Sequence, residues 1–217
     1  MKNEEVTLIL AGGNLSLPFL ENVIKEHAGA TIIAADRGLE ACMKLQIEPD
    51  YVIGDFDSLD EQVKDAFLAD RRNVTKLNPI KDDTDTEYAI RLAISEGARS
   101  IVMLGATGSR IDHVLGNISL LGIGLESKTD ISIIDTNNRI RMADKPVTIE
   151  KSAQYGRFVS LIAVTDDNEV SLRGFKYPVT DYSFDRFTSL GISNEIVDDH
   201  ALIDIHRGKF IIIESKD

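Results

Sequence analysis

The chain of 217 residues carries 36 acidic and 24 basic side chains, a formal net charge of −12, and 43% of it is hydrophobic. That suits one large or two small globular domains with a real core, and it argues against a nucleic-acid partner, which needs a basic surface to displace counterions. No apolar run is long enough to cross a bilayer, the first residues lack a secretory leader's pattern, and the single cysteine, Cys42, excludes a disulfide framework and a cysteine-cluster zinc site; the expected setting is the cytoplasm, with no membrane partner.

Residues 6–10 form a short apolar run, Ala11-Gly12-Gly13 follows, and 15–27 have helical spacing: a first βα unit. The two glycines suit either a main-chain approach to a phosphate or a tight turn. The run 31–35 reads as a second buried strand, followed by Asp36-Arg37-Gly38 and a helix to residue 45. A third strand, 51–53, stops at Gly54, and Asp55 and Asp57 come next. A helix over 59–68 and a fourth strand over 73–77 are expected before Asn78-Pro79. In Lys81-Asp82-Asp83-Thr84-Asp85-Thr86-Glu87, Thr84 and Glu87 have capping-box spacing and open a helix over 85–96. Acids at a helix start complement its dipole, but three aspartates in four residues exceed what a cap requires.

The fifth strand, 100–104, leads into Gly105-Ala106-Thr107-Gly108-Ser109-Arg110 and a helix with Ile111, Val114, Leu115, Ile118 and Leu121 as its apolar positions. Strand, glycine-rich loop and helix N-terminus together offer free N–H groups and a positive dipole end to an anion. The loop lacks the Gly-Lys-Ser/Thr ending of a P-loop. Arg110 could meet a phosphate, Ser109 and Asp112 have cap spacing, and His113 lies on the polar side near the loop.

Strands alternating with helices predict an α/β fold, an N-terminal doubly wound parallel-sheet (Rossmann-like) domain. From residue 130 the pattern changes to short apolar runs at 131–134, 139–142, 147–149, 158–164, 170–173 and 201–205, with no amphipathic helix. His206-Arg207-Gly208-Lys209 reads as a hairpin joining 201–205 to 210–214. The expected division is an α/β domain over 1–128 and a C-terminal all-β sandwich over 129–217.

The pair Asp55 and Asp57 carries the chemistry. Alternate side chains of an extended chain share a face, and two carboxylates held together repel unless a cation or a proton intervenes. Oxygen-only ligands suit a hard cation, Mg²⁺ first, and open α/β sheets bind ligands beyond the carboxyl ends of their strands. Alone, the pair reads first as a helix cap, Asp55, and solvated turn chemistry, Asp57. Asp36 and the Asp82, Asp83, Asp85 cluster, each following a strand, tilt the reading towards a metal and phosphate site.

Taken together, Ala35-Asp36-Arg37-Gly38, Gly54-Asp55-Phe56-Asp57-Ser58, Asp82-Asp83-Thr84-Asp85, the block Gly105 to His113 and Gly191-Ile192-Ser193-Asn194-Glu195 resemble the thiamine pyrophosphokinase (thiamine diphosphokinase) family, in family order and across nearly the whole chain. The resemblance implies pyrophosphoryl transfer from ATP to the hydroxyl of thiamine with release of AMP. It also implies Mg²⁺, a catalytic α/β domain, a thiamine-binding β-sandwich, and a homodimer with active sites at the subunit interface. Carried over by position, Asp55, Asp57 and Asp85 are the catalytic acids and, with Asp36 and more weakly Asp82, the metal ligands. Thr107, Gly108, Arg110, Asp112 and His113 match the nucleotide loop; Ser193 and Asn194 match the thiamine-side turn. Tyr177 falls where some members place a tryptophan against the thiamine ring; this chain has no tryptophan, and a tyrosine can also stack on a cationic ring. No mechanism attaches to Arg37, where other members can carry a small residue.

Two other readings compete: a related pyrophosphotransferase acting on another small alcohol, and a non-catalytic Mg²⁺-nucleotide binding module. A dehydrogenase is disfavoured because Gly12-Gly13-Asn14 lacks the dinucleotide-binding fingerprint.

Overall fold

Short β-branched runs punctuated by glycine turns build the first half of the chain as strands buried on both faces. The computed structural model describes residues 3–54, 74–76 and 84–217. The predicted helix over 59–68, together with Asp55, Asp57 and Asp82, lies outside them. The chain divides into two compact units, Met1–Thr136 and Asn137–Asp217.

In the first unit, strands β1 (Asn3–Leu10), β2 (Ala30–Ala35), β3 (Tyr51–Gly54), β4 (Val74–Lys76), β5 (Ser100–Leu104) and β6 (Asp130–Ile134) pair in parallel in the order β6-β5-β1-β2-β3-β4. Helices α1 (Leu17–Glu26) and α2 (Gly38–Lys44) cover one face. There Leu20, Val23, Leu39 and Cys42 pack against Leu8, Leu10, Ile32 and Ala34. Alternation turns Ile9, Ile33 and Ile53 to the other face, where α3 (Asp85–Ser95) packs on β1, β2 and β3 through a side bearing Ala89, Ile90 and Ala93. Helix α4 (Ile111–Ser127) packs on β6 and beside α3. Helices on both faces make this the doubly wound sheet expected from the sequence. Pro18 sits in the first turn of α1, where its missing N–H is harmless.

The unit boundary falls at Thr136, later than the division expected at residue 128, because β6 pairs in parallel with β5. Periodicity alone does not distinguish a last parallel strand with no following helix from the first strand of a β domain.

The second unit stacks two antiparallel sheets. One has the order β12 (Asn194–Glu195), β9 (Phe158–Ala163), β14 (Phe210–Ser215), β7 (Asn138–Ala143); the other runs β11 (Val179–Tyr182), β10 (Glu169–Arg173), β13 (His200–Arg207), β8 (Val147–Glu150). Their inner faces share a core that includes Val159, Leu161, Phe210 and Ile212 from the first sheet and Val170, Leu172, Ile203 and Ile205 from the second, an all-β sandwich. The expected hairpin over 206–209 does not form. Strand β13 pairs with β10 and β8, whereas β14 pairs with β7 and β9. The turn at Gly208, with φ of 85°, therefore carries the chain from one sheet to the other. Two alternating strands and a glycine turn look the same in sequence whether the strands pair or face each other across a core.

Candidate active site

The sheet order reverses at β1, which has β2 on one side and β5 on the other. At such a switch point the loops after the two central strands diverge and leave a crevice for a ligand. Here those loops are laced by main-chain bonds: Ala11 N–H donates to Leu104 O (2.8 Å), Gly13 N–H to Gly105 O (2.7 Å) and Asn14 N–H to Thr107 O (2.7 Å). A side chain at Gly13 would press into the carbonyls of Gly105 and Thr107, so glycine is required for the approach. Asn117 Nδ2 of α4 clamps the second loop through Ala106 O (2.8 Å).

The acids arrive at the same edge. Asp36 follows β2 in the left-handed region, φ 50°, which aspartate tolerates better than most residues, and its N–H donates to Ile53 O (2.9 Å). Its Oδ2 lies 2.8 Å from where a Cβ on Gly12 would stand, so Gly12 makes room for the carboxylate. Asp85 opens α3, after Thr84, whose Oγ1 accepts the Glu87 N–H (3.2 Å). The reciprocal half of the capping box gives way to an ion pair: the Glu87 carboxylate turns to Arg91 (2.6 Å). A Cβ on Gly54 would lie 3.6 Å from both Asp36 Cα and Asp85 Oδ2, so the two acids flank the end of β3. A cleft of about 920 Å³ is lined by Asp36 and Asp85 and by Thr107, Gly108 and Arg110; Asp112 and His113 border it at the start of α4.

Within the cleft, Thr107 Oγ1 donates to Asp135 Oδ2 (2.8 Å). Asp135 did not figure in the sequence reading, although it follows an apolar strand as Asp36 does. The expected Ser109–Asp112 cap does not form: α4 has Arg110 at its N-cap position, with no side-chain cap bond. Asp112 instead pairs with the Arg110 guanidinium, both side chains exposed. For the Asp112 carboxylate, a charged donor making two bonds outcompetes the single main-chain N–H of Ser109 that a capping box would offer. Arg110's hydrogen bond holds the Asp112 carboxyl below its ordinary range. Arg37, exposed at the cleft edge, pairs with Glu40 (3.2 Å).

For a divalent cation, the donors that converge are carboxylate oxygens, Asp36 and Asp85, a set that fits Mg²⁺ and not a soft metal. Among the described residues no group of three or more acidic, histidine or cysteine side chains could hold a metal.

In the second unit, Tyr177 is 61% exposed and Asn194 only 6%. Asn194 Oδ1 accepts the Tyr177 N–H (3.0 Å) and its Nδ2 donates to Tyr177 O (2.9 Å). Ser193 is exposed, at φ 59°, and its N–H donates to Ser160 Oγ (3.0 Å). Glu195 holds Lys176 and Arg157, each at 2.8 Å.

Two family models match the chain: thiamin pyrophosphokinase, catalytic domain, over residues 23–134, and thiamin pyrophosphokinase, vitamin B1 binding domain, over residues 146–210. The thiamine pyrophosphokinase of Bacillus subtilis is 34% identical over 96% of this chain and 98% of its own length. The chain belongs to the thiamine pyrophosphokinase family. The crystal structure of the Bacillus subtilis thiamine pyrophosphokinase superposes with a TM-score of 0.88 at 33% identity, covering 98% of this chain and 99% of that one. That of the Geobacillus thermodenitrificans thiamin pyrophosphokinase gives 0.83 at 30%, covering 98% of each. Asp36, Asp85 and the loop after β5 fall inside the first family match; Tyr177, Ser193 and Asn194 fall inside the second.

Proposed function

We propose that this chain transfers the pyrophosphoryl group of ATP to the hydroxyl of thiamine, giving thiamine diphosphate and AMP. The observation that carries the reading is that Asp36 and Asp85, both inside the catalytic-domain match, meet the glycine-laced loops at one cleft. The first unit binds ATP and the second binds thiamine. In the reaction the thiamine oxygen forms a bond to the β-phosphorus, the α–β bridging bond breaks, AMP leaves with its electron pair, and the hydroxyl proton is released.

The protein's part is positioning and charge compensation. Main-chain N–H groups at the start of α4 face the polyphosphate. Arg110 trades its exposed contact with Asp112 for phosphate oxygens, and His113 borders the same loop. Thr107, held by Asp135, fixes the loop's shape. Asp36 and Asp85, with Asp55, Asp57 and Asp82, would hold Mg²⁺, which when bound neutralises charge on the phosphate oxygens. Tyr177 and Ser193 face the thiamine side, and an aromatic ring suits a cationic substrate. The same reading makes the protein a cytoplasmic homodimer; Ile111 and Leu115 of α4, 64% and 60% exposed, offer apolar surface to a second copy. Among the described residues no helix is long and apolar enough to cross a membrane.

The test is a product assay with Mg²⁺, ATP and thiamine. Equal amounts of AMP and thiamine diphosphate are expected; release of ADP would overturn the reaction type. Asp36→Asn, which keeps a residue tolerant of the left-handed backbone, is expected to lower kcat about 10²–10³-fold with an unchanged melting temperature.

A further inference from the structure

The second unit contains two buried asparagines that use their amides in the same way. Asn168 Oδ1 accepts the Phe184 N–H (2.8 Å) and its Nδ2 donates to Phe184 O (2.9 Å). Asn194 repeats this with Tyr177, at 3.0 and 2.9 Å. An amide that receives an N–H from a residue and returns one to the same residue's carbonyl imitates a strand pair.

The reason for the imitation at Asn194 is visible in the backbone. The segment before Tyr177 runs antiparallel to the chain after Asn194: Phe175 bridges Ile196, and Lys176 N–H donates to Glu195 O (2.8 Å). The main chain of Asn194 is committed to the other neighbour, pairing with Val159 of β9. Ser193, at φ 59°, turns the chain away just before it. The main-chain pairing therefore stops at Lys176, and the Asn194 side chain supplies its next step. Asn194 Oδ1 also accepts the Glu195 N–H (3.0 Å), so both amide ends are engaged in holding protein main chain. At 6% exposure the side chain offers little surface to a ligand, while the Tyr177 ring it anchors is 61% exposed.

We infer that Asn194 is a positioning residue: its amide fixes the main chain of Tyr177 so that the exposed ring is presented to the substrate, and it acts on the substrate only through Tyr177. The inference rests on the reading that the second unit receives thiamine. Tyr177 is the group that touches the ring of the substrate, and Asn194 touches Tyr177.

A double-mutant cycle on the full-length enzyme tests this, with KM for thiamine, KM for ATP and kcat measured for the wild type, Tyr177→Ala, Asn194→Ala and the double variant. Each single change is expected to raise KM for thiamine about tenfold, the worth of one hydrogen-bonded or stacked contact. KM for ATP and kcat at saturation should stay near the wild type. The double variant is expected to match Tyr177→Ala alone, because a residue that works through another adds nothing once that other is gone. If Asn194→Ala fails to fold, Asn194→Ser enters the same cycle, since it is uncharged, keeps a small polar group and is too short to bridge both the N–H and the carbonyl of Tyr177. A double variant whose KM rises by the product of the two single effects would overturn the inference, and thiamine would then touch Asn194 itself. A fall in kcat with an unchanged thiamine KM would overturn it too, reducing Asn194 to a structural tie. An unchanged thiamine KM in Tyr177→Ala would remove Tyr177 from the site and the inference with it. Failure of the underlying reading shows separately, as absence of thiamine turnover in the wild type.

Discussion

The two units hold their candidate binding elements by different means. In the first, the loops after β1 and β5 are joined main chain to main chain, Gly13 to Gly105 and Asn14 to Thr107. In the second, side chains do the joining. Asn194 holds Tyr177 and Asn168 holds Phe184. The fully buried Glu214 accepts from Arg139 (2.9 and 2.8 Å), Arg141 (2.9 Å) and the Tyr155 N–H (2.9 Å). A loop that must present bare N–H groups to a phosphate has to bring backbones close, and small residues permit that. A turn that must present a ring needs a fixed backbone beneath it, and a buried amide supplies that without occupying the ring's exposed face.

Breaking the largest side-chain tie should have the largest effect on stability. Glu214→Gln leaves the two arginines beside a neutral, poorer acceptor. It is expected to destabilise the protein by about 3 kcal/mol, since removing one partner of a buried ion pair strands the other; denaturant unfolding reads this. A loss below 0.5 kcal/mol, the range of a neutral surface change, would mean that the buried network does not hold the sandwich.

The main-chain lacing is tested by Gly13→Ala. Its added methyl meets two carbonyls of the facing loop, and overpacking of this kind costs about 1–3 kcal/mol. The expected signature is a raised KM for ATP with an unchanged KM for thiamine. Equal effects on both substrates would erase the contrast between the units.

The smallest effect belongs to the exposed ion pairs. Lys176's hydrogen bond, and after it Arg157's, hold the Glu195 carboxyl below its ordinary value of 4.5. With the folded pKa depressed, the contribution of this group is complete above 4.5 and fades as pH falls through the lower folded value. A small difference in melting temperature between the wild type and Glu195→Gln is therefore expected at neutral pH, closing in acid and shrinking in salt. A gap that widens in acid would reverse the sign.

Much of this was legible in the residues themselves. Short apolar runs with glycine turns marked the parallel strands, and the acids after them marked a candidate site. Asp36 and Asp85 do come together, and Thr107, Gly108 and Arg110 line the same cleft. Other features were hidden for physical reasons. Asp135 carries the same signal as Asp36, an acid after an apolar strand, but its strand is not followed by a helix. Glu214 continues the inward alternation of Phe210 and Ile212, a pattern that places a carboxylate in the core, yet no local rule names the arginines that would receive it there. The turn at Gly208 has hairpin composition and joins two sheets instead.

The sequence by itself determined most of the described strands and helices, β11 and β12 excepted, the change from α/β to β, and the family to which the chain belongs, because periodicity, turn chemistry and motif order are local and read along the chain. Only the tertiary structure decided which strands pair, that Gly13 is needed where two loops meet, and that Asn194 holds Tyr177 seventeen residues away. Those outcomes depend on which donors and acceptors burial brings together, and burial is a property of the packed chain.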